Sequence, residues 1–360
     1  MSISAPFHAT SQATPAARSP LFLLIGAALA CTALPAVAGS VGGGASHTVV
    51  AGDPSEDWFV NGASQLTLAP GAVAGSIYLD GSSTLSAADA VITGNSPFTT
   101  VEIVNSSASL LRTRLTNTAG IGMSLGTNLT GGLGPSRPAP TASLDASQVE
   151  GLGTAVLVNG YGQLTVSGST LIGHTDTAAG SAPFNGAGLQ IFAGTADLRN
   201  GSIVRGDQHG VYMESEQLAG FTPAASRLIV DASRVEGTAG SAIYVAPSFR
   251  SDTDVEISLR NGAELVASNG ILIDLQASTD PAYNVHADID VSASNLRGDI
   301  RGATGTTGTL ALADNATLLG GIDGALDVSL ASGAQWQLDK NSNIASLNLD
   351  STGTIALGDG

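Results

Sequence analysis

Two Arg-Gly-Asp tripeptides stand in this 360-residue chain, at Arg205-Gly206-Asp207 and Arg297-Gly298-Asp299. Such a tripeptide can hold a guanidinium and a carboxylate at the span an integrin-type receptor reads, with Gly allowing the sharp turn between them. Both copies fall at the same place in a repeating phrase, where a corner already demands Gly, so they count as one coincidence. Asp207-Gln208-His209-Gly210 is the nearest approach to the carboxylate and imidazole cluster of a polysaccharide-cleaving site. It lacks the second Asp pair and the downstream Arg-x-Lys of such sites. Gly122-Met123-Ser124-Leu125-Gly126 has the spacing of a nucleophile elbow, which has meaning only on a strand-to-helix turn with Asp and His following. Nothing in the chain has helical periodicity, so Ser124 reads as an ordinary strand residue. His47, His174, His209 and His286 stand singly, without the i,i+4 pairing of a zinc site. Asp288/Asp290 and Asp323/Asp327 could hold calcium weakly, but Gly320-Gly321-Ile322-Asp323-Gly324 is not a repeated nonapeptide. No catalytic residue, metal or cofactor is expected.

The bulk properties narrow the field further. Only 12% of residues are charged, the net charge is −17, and Lys340 is the single lysine. That surface repels phosphate backbones, so nucleic acid is not an expected partner. Arg18, the apolar run Leu21–Leu34 and Ala36-Val37-Ala38 read as a secretory signal over residues 1–38, cleaved between Ala38 and Gly39. Cleavage would leave 30 acidic against 12 basic residues, or −18. The apolar run is too short for a membrane span. Cys31, the only cysteine, lies inside it, so the mature chain would carry no thiol. Acylation of Cys31 is the alternative, though Ala28 stands where lipoprotein signals usually carry leucine.

What must position any site is a repeat. LDASQVEG (Leu144–Gly151) returns as VDASRVEG (Val230–Gly237), more loosely as VSGSTLIG (Val166–Gly173) and VSASNLRG (Val291–Gly298). Copies with one extra turn residue begin at Leu198, Leu259 and Leu312. Each unit holds three period-2 runs, the strand signature. The first ends apolar-x-apolar (Leu164/Val166, Leu228/Val230, Ile257/Leu259). The second reads small-x-apolar-x-Gly (Ser147/Val149/Gly151, Ser233/Val235/Gly237). The third reads small-apolar-x-apolar (Gly188–Ile191, Gly210–Met213, Ala242–Val245, Gly270–Ile273). The small position recurs at 147, 169, 202, 233, 263, 294 and 316, in steps of 22 or of 30–33 residues. A 22-residue step suits one three-strand coil, and the longer steps suit a coil plus an insert: Thr175–Asn185, Glu214–Ala225, Ser248–Asp254 and Gln276–Asn284.

The expected fold is therefore all-β, a right-handed parallel β-helix resembling pectin-lyase-like solenoids, with three-strand coils and loop inserts. Val149, Leu171, Val204, Val235, Leu265, Leu296 and Leu318 should form one inward stack. About 11 to 14 coils would make a rod on the order of 50–65 Å long. Thr127–Pro140, rich in Gly and Pro, is read as a loop extruded from one coil, with a break between two segments as the alternative.

The leader, the Gly-rich coils and the cysteine-free mature chain together resemble the passenger domain of pertactin-like autotransporters of Gram-negative bacteria. The sharpest match is Gly333-Ala334-Gln335-Trp336-Gln337-Leu338, then Ser342, Ile344, Leu347, Leu349, Gly353 and Ile355. The resemblance implies that residues 39–330 are the β-helix passenger and 331–360 the start of a closing, autochaperone-like region. It implies a non-enzymatic adhesin or virulence-type scaffold, on the cell surface or outer membrane or secreted. The partner would be a host-cell or matrix receptor or a surface glycan, and the Arg-Gly-Asp copies would be candidate contacts. A membrane β-barrel translocator normally follows in this family. The chain has no strands of that kind, so a fragment or a split or truncated gene is expected, periplasmic if no barrel follows. A polysaccharide lyase or hydrolase on the same fold is the competing reading.

Overall fold

The computed structural model describes residues 39–127, 138–178, 180, 182–215 and 225–358, so the expected signal segment with Cys31 and Ala38 lies outside them. Gly39 opens the first strand. The described residues are all-β, and they form a right-handed parallel β-helix. Each coil contributes its first run to a 13-stranded sheet and its third run to a 12-stranded sheet. Its second run joins a face made of an 8-stranded and a 4-stranded sheet. A dozen coils at about 4.8 Å each give a rod of roughly 58 Å, inside the expected range.

Strict register explains the repeated phrase. Val149 pairs with Leu171, Leu171 with Val204, Val204 with Val235, and Val235 with Leu265. All are buried, and the column extends upstream through Leu115 and Ile92. Leu296 and Leu318 resume it and lead into Trp336 and Ile355. The ladder is interrupted between Glu264–Ala267 and Asn295–Arg297, so the expected single stack is one continuous core lined on this face by two hydrogen-bonded sheets.

The corners account for the other fixed letters. Where the phrase has its short form, one residue takes left-handed backbone: Ala146, Gly168, Ala232 or Ala293. Copies with the extra residue place two in succession there, Asn200-Gly201, Asn261-Gly262 and Asp314-Asn315. The small residue that follows closes the corner with its hydroxyl. Ser169 Oγ accepts from the Ser147 N–H of the preceding coil at 2.9 Å, Ser202 from Ser169 at 3.4 Å and Ser233 from Ser202 at 3.2 Å. The Gly that ends the second run is a packing requirement. A Cβ on Gly206 would lie 1.9 Å from the His209 carbonyl oxygen, and Gly151 and Gly173 meet equivalent carbonyls as closely.

Two readings are refined. Ser107–Leu111 pairs directly with Thr141–Asp145, and Met123–Gly126 pairs with Thr154–Val158. The stack therefore passes Thr127–Pro140 without a break, as the loop reading requires, and residues 128–137 of that loop lie outside the described residues. The third run of the 270s is corrected by two positions. Ile273, Asp274 and Leu275 pair with Ile243, Tyr244 and Val245, so Gly270 belongs to the corner and Leu272 takes the place of Ala242 within the strand Ile271–Leu275. The Asn269-Gly270 turn, with Gly270 at φ 76°, absorbs the two residues.

Candidate functional site

The middle residue of each third run points away from the core. Parallel register places these residues in one column: Phe59, Tyr78, Glu102, Ser124, Leu157, Gln190, Tyr212, Tyr244, Asp274, Arg301 and Asp323. The inserts interrupt the chain at the edges of that face. The segments 127–140, 214–225, 246–252 and 276–284 all leave from the corner between a third run and the following first run. The segment 175–186 enters from the opposite edge. Loops on a rigid scaffold are where recognition concentrates, and here two edges of one sheet carry them.

Phe184 of the 175–186 insert packs over the middle of the column, where the outward Gln190 and Tyr212 are buried. Gln190 Nε2 donates to the Phe184 carbonyl at 2.8 Å and also to Thr154 Oγ1, which ties the 175–186 segment down. Tyr212 is buried with Phe184 and Phe192 packed edge-on at 5.9 and 5.7 Å, and it stacks on Tyr244 at 5.9 Å. Burial, with the neighbouring Glu214 carboxylate, pushes the Tyr212 hydroxyl well above its usual pKa. That hydroxyl donates to Glu214 Oε2 at 3.2 Å. Burial also pulls His209 below the usual imidazole range. Its Nδ1 accepts from the Ser241 N–H at 3.1 Å, and its ring lies against Tyr244 at 4.4 Å.

The two ends of the column differ. Near the N-terminal end Phe59 and Tyr78 stack in parallel at 5.3 Å. Glu102 beside them is raised above the usual carboxylate pKa, first by burial and then by Asp80. Near the C-terminal end Asp274 is buried and holds Arg301 bidentately, Nε at 3.0 Å and Nη2 at 2.6 Å. Gln276 Nε2 donates to the same carboxylate at 2.7 Å. Next to this clamp an open cleft of about 580 Å³ is lined by Gln276, Arg301, Asp323 and Asn343 over the backbone of 302–305 and 324–325.

The Arg-Gly-Asp copies lie elsewhere. Arg205 and Gly206 end a strand of the second face, with Arg205 exposed and Gly206 buried. Asp207 Oδ2 accepts from the Thr175 N–H at 3.0 Å and stands 3.5 Å from His174 Nδ1, holding the start of an insert. Arg297 is exposed on the same face, and Gly298 has φ 137°. Asp299 is taken by Lys340 Nζ at 2.9 Å and the Gly321 N–H at 2.9 Å. Neither copy is a free loop tip, and each carboxylate already has protein partners. Asp207 and His209, neighbours in sequence, are engaged separately, one with Thr175 and the other with Ser241. Ser124 sits on a strand of the column. Asp288 accepts from Thr309 Oγ1 at 2.7 Å, while Asp323 and Asp327 belong to different sheets. Among the described residues, no three His, Cys, Asp or Glu side chains gather as a metal would need.

The column itself was only partly visible beforehand. Tyr212 and Tyr244 already occupied the free position of the third-run pattern, and reading down that position would have joined them. Asp274 and Arg301 were hidden by the two-residue shift at Gly270. What the face offers chemically is aromatic surface, fixed hydrogen-bond donors and acceptors, and an open cleft. No family model matches the chain, and no curated protein matches it.

Proposed function

We propose that the chain is an exported passenger of the autotransporter type, displayed on a cell surface or secreted, whose work is adhesive binding through the outer face of the third-run sheet. The observation that carries this reading is that five inserts interrupt the chain at the two edges of that one sheet, whose outer face carries a column of aromatic and polar side chains. A rod whose loops served only as linkers would scatter them among its three corners. The polar groups there support binding over turnover: the Asp274 carboxylate is held by Arg301 and Gln276, and His209 Nδ1 is held by Ser241. A general acid or base needs a group free to exchange a proton with substrate. The leader at residues 1–38 and the Trp336 ladder are what favour the passenger reading over other β-helices.

The test presents the purified full chain with immobilised matrix proteins, cultured epithelial cells, and neutral and acidic polysaccharides. Retention and release of new reducing or unsaturated ends are measured together. Saturable retention without new ends is expected. Turnover abolished by Asp207→Ala or His209→Ala would replace this reading with a polysaccharide-active enzyme.

A further inference from the structure

Asp274 is an acid where the rod has no structural need of one. Equivalent outward positions in other coils carry Ser124 or Leu157. Its side chain is 4% exposed, and burying a carboxylate is unfavourable unless its charge and lone pairs are met. They are met by Arg301 and Gln276, both of which line the cleft. The Arg301 side chain is 48% exposed. Asp274 thus works as an anchor that fixes two cleft side chains in place. With Nε and Nη2 committed, Arg301 keeps its Nη1 donors, and Gln276 keeps its amide oxygen as an acceptor. Asp323 and Asn343, exposed on adjoining coils and linked through their backbones, add a carboxylate and an amide. The floor is mostly small residues, Gly302, Ala303, Gly305, Gly324 and Ala325, so a flat ligand can approach the backbone.

This geometry selects a chemistry. Donors and acceptors stand side by side, those of Arg301 and Gln276 held in place by Asp274, which suits hydroxyl groups that both donate and accept. The cleft lining has one acid, Asp323, and one base, Arg301, whose charge Asp274 already meets, on a chain of net charge −17, which disfavours a polyanion. Two coils along the column, Tyr244 presents a half-buried ring of the kind that packs on the C–H face of a pyranose. We propose that this cleft is a binding site for a neutral saccharide chain running along the rod from Asn343 towards Tyr244. The inference rests on the binding role proposed above and names its ligand class.

The test titrates the full chain with maltohexaose, cellohexaose and laminarihexaose, with hexagalacturonate as the acidic control, and follows reducing ends in parallel. One neutral hexaose should bind. Asp323→Ala, Asn343→Ala and Gln276→Ala should each weaken it about tenfold or more, the loss expected for one or two hydrogen bonds to ligand. Melting temperatures of Asp323→Ala and Asn343→Ala should stay unchanged, because both side chains are exposed, whereas Gln276→Ala also takes a donor from the buried Asp274 and should melt lower. Three results would overturn the site: no neutral hexaose binds, binding is indifferent to all three substitutions, or hexagalacturonate binds more tightly. Retention on cells with no hexaose binding would refute the saccharide cleft alone. A bound hexaose that gains new ends would support the cleft and refute the non-catalytic reading.

Discussion

Ala146, Ala232 and Ala293 hold left-handed backbone at φ 47°, 46° and 46°, a conformation in which a Cβ crowds the following carbonyl. Gly168 occupies the same corner one coil beyond Ala146 at φ 54°. The strain on an alanine there is about 1–2 kcal/mol, and glycine's extra unfolded-state entropy offsets roughly 0.5–1 kcal/mol of it. Ala232→Gly should therefore stabilise the chain by about 0.5–1 kcal/mol, read as a higher urea midpoint; an unchanged or lower midpoint would show that the corner is relaxed. His209 carries a second expectation. Burial lowers its pKa below the ordinary 6.5, and the facing Asp274 charge opposes that without reversing it. Folded protein then binds fewer protons than unfolded protein, so stability is fully present above about pH 6.5 and falls as pH drops towards the folded value. Protonation would also turn Nδ1 from acceptor to donor against the Ser241 N–H. His209→Gln keeps an acceptor and does not titrate, so its melting temperature should fall less than the wild type's between about pH 7.5 and 5.5. Equal falls would remove His209 as the cause. Neither His209's burial nor its partner could be read from the sequence, because both come from coils about 30 residues away.

At the scale of the coil, the repeated phrase was legible because each letter has one physical job: core residue, left-handed corner, capping hydroxyl, close-packed Gly. The same economy misled the reading at Gly270, where a second small-apolar-x-apolar register was available in sequence and only the Asn269-Gly270 turn decided between them. Insert positions were legible as well, yet their convergence on one sheet depends on which corner each interrupts, and that emerges once the registers are joined. The serine ladder offers a sharp test. Ala263 occupies the capping position next to Ser233, so it presents no hydroxyl to the Ser233 N–H, while its own N–H is capped by Ser294 Oγ at 3.1 Å. Ser202 shows that a serine fits after a two-residue corner, donating to the Arg199 carbonyl at 2.7 Å. Ala263→Ser should complete the ladder and add about 0.5–1.5 kcal/mol, whereas Ser202→Ala should cost about 1–3 kcal/mol by leaving the Ser169 N–H without its acceptor. Chemical denaturation of both variants checks the pair, and a destabilised Ala263→Ser would sink the idea.

For the whole molecule, stability is a sum over neighbouring coils, so damage should stay local. The strand Ser346–Leu349 is exposed at all four residues, with Leu347 and Leu349 at 43% and 44% although their register partners Val328 and Leu330 are buried. Trp336, stacked between Leu318 and Ile355 and donating to the Gly320 carbonyl at 3.0 Å, is the last large side chain fully inside. Hydrogen exchange should be slow through residues 143–320 and faster beyond about 340. Trp336→Ala should cost about 3–5 kcal/mol in the coils next to it and leave protection upstream of residue 260 unchanged. Uniform protection to the last strand would show that this end is as well covered as the middle.

The central claim is that one of the rod's three faces does the binding. A single charge reversal on each face separates them: Asp290→Arg on the first-run sheet, Arg205→Glu in the second-face Arg-Gly-Asp copy, and Asp323→Arg on the third-run sheet, all exposed or strand-end positions outside the core. Retention of each purified variant on the matrix, cell and saccharide panel is the measurement. Asp323→Arg should lose retention while the other two keep it. Full retention by Asp323→Arg together with loss in Arg205→Glu would contradict the account and move recognition to the Arg-Gly-Asp face.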